Sequence, residues 1–293
     1  MKGAHAYFSG SGNIRLHYRC WDVPQPRAVV IVCHGLGEHS GRYEELARDL
    51  GRAGLSTFAL DHRGHGRSDG RRGHVRRFAR FIHDLEKFRR RVSGSVGPGV
   101  PLIFLGHSLG GLILIRYLQE YPGVSAEGAV FSAPLVGVAI EVPRWKERLA
   151  TVLTYTVPAL PLSSGLDPAH LSHDPLVVEA YRRDPLVHDR VTPRLYAEIQ
   201  SEIDVAFQKA ARLRLPSLFL IPSADKLVRP DLMQRFASVV SESGRVQVRT
   251  LAGLYHEVLN ESTRSSVVAD LLGWIERRVL VYSPSPEPSE PTR

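Results

Sequence analysis

Cysteine is almost missing from this chain: Cys20 and Cys33 are the only two in 293 residues, too few for a disulfide framework. Cys33 closes an apolar, strand-like run, which predicts a buried thiol. No apolar run approaches the roughly 18 residues that a membrane-spanning helix needs. The first residues also lack the apolar stretch of a secretion signal, so the expectation is a cytoplasmic protein, at most peripheral to a membrane. Lysine is scarce as well: five of the 38 basic residues are lysine, and the rest are arginines spread along the chain. The net charge of +8 could draw in nucleic acid or anionic lipid, but a nucleic-acid footprint should gather on one face or motif. None does, so no nucleic-acid partner is expected. The densest basic run, from Arg71 to Arg91, carries Phe78, Phe81, Ile82, Leu85 and Phe88 at helical spacing. That pattern predicts the solvated face of an amphipathic helix, and a weak attraction to anionic lipid surfaces is what the charge leaves open.

What is present is ordinary globular material, 43% hydrophobic and 23% charged. A chain of this length can form two small domains or one large one. Short apolar runs bounded by Gly, Pro or Asp alternate with amphipathic stretches, the pattern of a mostly parallel, twisted α/β sheet with helices on both faces. Ala28 to Cys33, Leu55 to Leu60, Leu102 to Leu105, Gly128 to Phe131, Ser217 to Ile221 and Val246 to Leu251 read as strands. Tyr43 to Ala53, Phe78 to Val92, Leu109 to Tyr121, Asp231 to Val240 and Arg264 to Val279 read as helices. Residues 5 to 23 fit a leading antiparallel hairpin.

From about Leu135 to Arg212 the alternation stops. A structureless loop of that length inside a compact domain is improbable, so residues 135–212 are expected to be a helical insertion dividing a core of residues 1–134 and 213–282. Leu149 to Leu162 is nearly uncharged and mostly apolar, whereas the later part carries the turn signals Asp174-Pro175 and Asp184-Pro185. The Pro- and Ser-rich stretch from Ser283 to Arg293 is expected to be disordered.

The stretch Pro101-Leu-Ile-Phe-Leu-Gly106-His107-Ser108-Leu109-Gly110-Gly111 reads as strand, then G-x-S-x-G, then helix. That context turns a common short motif into a nucleophile turn. The serine must adopt a strained backbone there, and Gly106 and Gly110 remove the Cβ atoms that would clash. Ser108 is thereby presented at the C-terminal edge of the sheet, with helix-start N–H groups aimed at the reacting centre. His107 reads as structural.

A serine hydroxyl needs a positioned base. Where the nucleophile sits on such a turn, the partners follow in the order Ser, Asp or Glu, His. Of 13 histidines, His256 alone lies beyond the final strand. Asp225, after the strand Ser217 to Ile221, supplies the acid that fixes the imidazole tautomer and stabilises the imidazolium. Asp231 and Glu257 compete for that role, but Asp231 is placed to cap a helix and Glu257 is too close in sequence to reach the far nitrogen. The oxyanion needs two aimed donors. The N–H of Leu109 follows the nucleophile, and the early loop His34-Gly35-Leu36-Gly37 offers the N–H of Leu36, with His34 shaping that loop. Asp61-His62-Arg63-Gly64-His65-Gly66-Arg67-Ser68 puts a carboxylate beside histidines without any recognised ligand spacing, so it reads as a tight turn and no metal is expected.

The segments His34-Gly-Leu-Gly-Glu38-His39-Ser-Gly-Arg42-Tyr43, Asp61 to Ser68, Gly106 to Gly111, Tyr181-Arg-Arg-Asp184-Pro185, Ser223-Ala-Asp225 and Tyr255-His256-Glu-Val-Leu-Asn-Glu261 together resemble the monoacylglycerol lipase and lysophospholipase-like branch of the α/β-hydrolases. The likeness runs over nearly the whole chain. It implies an α/β-hydrolase fold in which residues 135–212 form a lid over Ser108, whose apolar outer part touches lipid and admits an acyl chain. It also implies that Glu38, Arg42 and Tyr181 line a polar pocket for a glycerol headgroup, the plainer alternative being a surface salt bridge beside a packed lid aromatic. The implied activity is cofactor-free hydrolysis of monoacylglycerols through an acyl-enzyme. A broader carboxylesterase or lysophospholipase with the same triad, a peptidase acting at a free N-terminus and a non-catalytic binding protein of this fold are the alternatives.

Overall fold

The computed structural model describes residues 3–139, 152–241 and 245–280. The expected disordered stretch Ser283 to Arg293, and residues 149–151 of the apolar run, lie outside them. A leading hairpin, β1 (Ala4–Ser9) and β2 (Arg15–Trp21), precedes β3 (Ala28–Cys33), α1 (Glu44–Arg52), β4 (Leu55–Leu60), α2 (Ala79–Ser95), β5 (Leu102–His107), α3 (Leu109–Glu120) and β6 (Gly128–Ser132). Then come a two-residue ladder, β7 (Leu162–Ser163) with β8 (Arg190–Val191), and the helices α4 (Pro175–Arg183) and α5 (Pro193–Gln208). The chain returns through β9 (Ser217–Pro222), α6 (Pro230–Ser241), β10 (Val246–Leu251) and α7 (Arg264–Ile275).

Eight strands form one sheet in the order β1-β2-β4-β3-β5-β6-β9-β10, with β2 alone antiparallel to its neighbours. The central strands β3, β4, β5, β6 and β9 are buried along their whole length, which is why they read as continuous apolar runs rather than alternating ones. Side-chain alternation then divides the core. Val29, Ile31 and Phe104 face a cluster shared with α2, α3, α5 and α6, whereas Val30, Val32 and Ile103 face α1 and α7. Both faces are covered, so the strand ends are left as the place where loops converge.

Four expectations change in detail. The helix expected from Phe78 begins at Ala79, so Arg71, Arg72, Arg76 and Arg77 lie in the preceding loop and not on a helix face. Asp231 sits inside the first turn of α6, which opens at Pro230. It pairs with Arg229 instead of capping the helix. The last helix is α-helical to Ile275 and continues as a π-turn from Glu276.

The fourth concerns α5, which the sequence grouped with the insertion. Its Leu195, Ile199, Ile203 and Ala206 belong to the main core cluster. Buried Arg116 of α3 donates to Glu202 at 2.5 Å, and Gln119 donates to the Ala206 carbonyl at 2.7 Å, so α5 is riveted to the sheet-covering layer. No helix among the described residues is long and apolar enough to cross a membrane.

Candidate active site

Ser108 stands between β5 and α3 with φ 51° and ψ −120°, a left-handed conformation that costs a non-glycine residue on the order of 1–3 kcal/mol and persists only where the surroundings enforce it. The enforcement is tight packing. A Cβ on Gly110 would lie 2.1 Å from the Cys33 carbonyl oxygen, and one on Gly106 would lie 2.8 Å from the Gly110 oxygen. Only glycines let the start of α3 press against the end of β3.

His256 follows β10, and its Nδ1–H donates to Asp225 Oδ2 at 2.7 Å. The other carboxylate oxygen of Asp225 accepts the N–H groups of Leu227 and Val228 at 2.8 and 3.0 Å, so the acid cannot swing away. Burial disfavours the charged Asp225, but the His256 imidazole and the two backbone donors outweigh it and hold its pKa low. Burial likewise works against protonated His256. The charge and hydrogen bond of Asp225, with Glu257 and Glu38 adding, nevertheless lift its pKa above the ordinary histidine value. Ser108, His256 and the oxyanion loop line one cavity. Among the described residues the Ser108 hydroxyl makes no hydrogen bond, and catalytic bonds of this kind commonly form only in the substrate complex.

Leu36 lines the same cavity. The N–H groups of Leu36 and Leu109 have no acceptor among the described residues, the condition required of donors that await an oxyanion. The loop carrying Leu36 is shaped by His34. Its Nδ1–H donates to the Gly35 carbonyl at 2.8 Å, and its Nε2 accepts the His62 N–H at 3.0 Å. His107 donates to the Ser132 carbonyl at 3.1 Å and packs its ring 4.8 Å from that of His256. Burial and the neighbouring His256 push its pKa down to about 4, so it is a neutral wall behind the base. Asp61 accepts from His17 Nδ1, Ser40 N and Arg67 N at 2.7–2.8 Å, which ties the leading hairpin to two loops.

Of the residues expected around a headgroup, Glu38 and Tyr181 line the cavity, and Arg42 does not. Arg42 stands behind them with its guanidinium 4.7 Å over the Tyr181 ring. It is gripped by Glu257 through both amino groups and by Glu38 at 3.1 Å. Glu257, which the sequence offered only as a rejected acid, lines the cavity and is the residue that reasoning missed. The signal was its place beside the base, but the partner 215 positions away is set by the fold. Glu38 also accepts the N–H of Gly35 at 2.6 Å and the hydroxyl of Tyr43 at 2.9 Å. Burial opposes its charge, and Arg42, His107 and His34 overcome that and keep it ionised. Two carboxylates therefore share one guanidinium, leaving one negative charge in surplus. Away from this polar end the cavity is apolar, walled by Leu36, Leu135, Val138, Leu171, Ile199 and Val228. Residues 171 and 188 are tied to its rim, since Glu257 N–H donates to the Leu171 carbonyl at 2.8 Å and His188 N–H to the Gly37 carbonyl at 2.9 Å.

The family model described as serine aminopeptidase, S33, matches residues 24–263. A monoacylglycerol lipase of Mycolicibacterium smegmatis is 38% identical over 92% of this chain and 95% of its own length. The human monoglyceride lipase is 36% identical over 86% of this chain and 84% of its own. Among solved structures, the Paleococcus ferrophilus monoacylglycerol lipase superposes with a TM-score of 0.78 at 31% identity, over 94% of this chain and 98% of that one.

Proposed function

Because the chain belongs to the serine aminopeptidase, S33, family of α/β-hydrolases, we propose that its cavity takes a monoacylglycerol, with the acyl chain along the apolar wall and the glycerol toward Glu38, Glu257 and Tyr181. It is a serine hydrolase that cleaves monoacylglycerols to fatty acid and glycerol. The observation that carries this reading is the lining of one cavity: Ser108 and His256 share it with the carboxylates of Glu38 and Glu257 and with a larger set of apolar side chains.

Ser108 attacks the ester carbonyl while His256 takes its proton, and Asp225 holds the resulting imidazolium. The oxyanion is received by the N–H groups of Leu36 and Leu109. His256 then gives the proton to the departing glycerol oxygen, and water repeats the sequence on the acyl-enzyme. Burial of each methylene of the acyl chain contributes roughly 0.8 kcal/mol, so chain length governs affinity while the polar end sets orientation. Arg42 acts at one remove, holding Glu38 and Glu257 in place.

Leu166, Leu171, Tyr181 and Val191, from the described part of the insertion, wall the cavity and act as its lid, with α5 fixed to the core beneath them. Val152, Tyr155, Val157, Leu160 and Leu162 are 40–81% exposed and form an apolar strip that meets the lipid holding the substrate. The decisive experiment is a panel of monoacylglycerols graded by chain length, run beside diacylglycerol, triacylglycerol, short p-nitrophenyl esters and lysophosphatidylcholine. Preference for long-chain monoacylglycerol supports the reading, and equal turnover of the short esters and lysophosphatidylcholine overturns it. Ser108→Ala should abolish turnover and fluorophosphonate labelling with folding intact.

A further inference from the structure

The loop before α2 is hydrogen-bonded to residues 192–194, the backbone that also borders the exposed apolar strip. Thr192 N–H donates to the Gly73 carbonyl at 2.9 Å, and His74 Nδ1 lies 3.0 Å from Thr192 Oγ1. Arg194 ties both sides together, its Nε donating to the Arg76 carbonyl at 3.1 Å and its backbone N–H to the Pro158 carbonyl at 3.2 Å. The ladder β7–β8 sets Leu162 opposite Val191 and Ser163 opposite Arg190. The arginine-rich loop and the strip are thus separated by one stretch of backbone, residues 190–194.

That neighbourhood is strongly cationic. Arg71, Arg76, Arg77 and Arg190 are exposed and have no ion-pair partner among the described residues. Arg194 pairs with Glu198. Burial and the charges of Arg71, Arg194 and Arg76 all depress the His74 pKa. An acidic protein partner or a nucleic acid would use the arginines and leave the apolar side chains idle. A surface with anionic heads above apolar tails uses both.

We propose that Arg71, Arg76, Arg77 and Arg190, together with the strip from Val152 to Leu162, form a docking face for bilayers rich in anionic phospholipid. This rests on the reading of the strip as the lipid-facing part of the lid, and it adds the charge selectivity. An arginine held at an anionic surface strengthens binding by roughly fivefold, and the effect fades once salt shortens the screening length below about 10 Å.

The test is co-sedimentation with vesicles of phosphatidylcholine alone and of phosphatidylcholine mixed with phosphatidylglycerol. Wild type should bind the mixed vesicles far more tightly, and high salt should erase the difference. The triple variant Arg71→Gln/Arg76→Gln/Arg77→Gln should lose about a hundredfold on mixed vesicles at three such contacts while hydrolysing a soluble short ester normally. Should that variant fail to fold, the Arg-to-Lys triple, which keeps the charge, must retain binding. Equal binding of wild type to both vesicles overturns the proposal and leaves the lid reading standing. Binding to neither, together with undiminished action on vesicle-borne monoacylglycerol, overturns both. Equally tight binding to a single-stranded oligonucleotide, or salt-insensitive self-association in light scattering, also overturns it.

Discussion

His256 Nδ1 lies 2.7 Å from Asp225 Oδ2, and Asp225 is itself pinned by two backbone N–H groups through its other oxygen. The imidazole therefore has one permitted tautomer, with Nε2 bare. Asp225→Asn keeps the shape and can reverse the polarity of that bond. We expect kcat to fall by about 10⁴ with the thermal unfolding temperature little changed; a loss below tenfold would remove Asp225 from the mechanism.

The rate should carry an acid limb. His256 works as a base only when neutral, so activity is lost as pH falls through its raised pKa, placing the limb of kcat/KM above the ordinary histidine value of about 6.5. Glu257→Gln removes one of the charges that raise it, so the limb should move to lower pH. A pH-rate profile of both proteins on a soluble ester checks the direction, and an unmoved limb contradicts the assigned electrostatics.

Gly110→Ala would bring a methyl against the Cys33 carbonyl at 2.1 Å. Relief requires α3 to move off β3, with overpacking of this kind costing about 1–3 kcal/mol. Fluorophosphonate labelling of Ser108 should fall more than stability, because the turn that aims the hydroxyl is what moves; labelling at the wild-type rate would show that the turn tolerates the shift.

Leu160 and Leu162 are exposed, whereas Leu153 is turned partly inward. Leu160→Ser/Leu162→Ser should slow turnover of long-chain monoacylglycerol in dispersed lipid several-fold and leave short soluble esters unaffected. Equal losses on both substrates would count against a lipid-facing strip.

Acid should unfold the protein early. His107 and His188 are pushed down to about 4, and burial also lowers His34, His62 and His65. A histidine depressed in the fold takes up its proton more readily in the unfolded chain. Its contribution is therefore intact above about 6.5 and disappears as pH falls toward 4. Each pKa unit is worth about 1.4 kcal/mol, so denaturant midpoints should drop steeply across that window.

The parallel strands were legible because full burial writes itself as runs such as Ala28 to Cys33, and the nucleophile turn because steric need forces glycine at fixed offsets. The pairing of Asp225 with His256 was legible by chain order. Three things were hidden. The Arg42–Glu257 pair depends on which loops the sheet edge brings together. The inward role of α5 depends on Arg116 and Gln119 of α3, whose partners Glu202 and Ala206 lie 86 and 87 positions away. The basic loop before α2 looked like part of that helix because Phe78 and Phe81 share its periodicity, whereas hydrogen bonds to residues 192–194 and from Phe78 N–H to Glu198 hold the backbone out of it.

The uneven match of Glu38 and Glu257 with Arg42 also bears on what happens after the ester is cut. A neutral substrate enters, but the fatty acid leaves Ser108 as an anion, formed beside a cluster that already carries excess negative charge in a poorly screening interior. The product is electrostatically unwelcome where it is made, and the cluster opposes its retention.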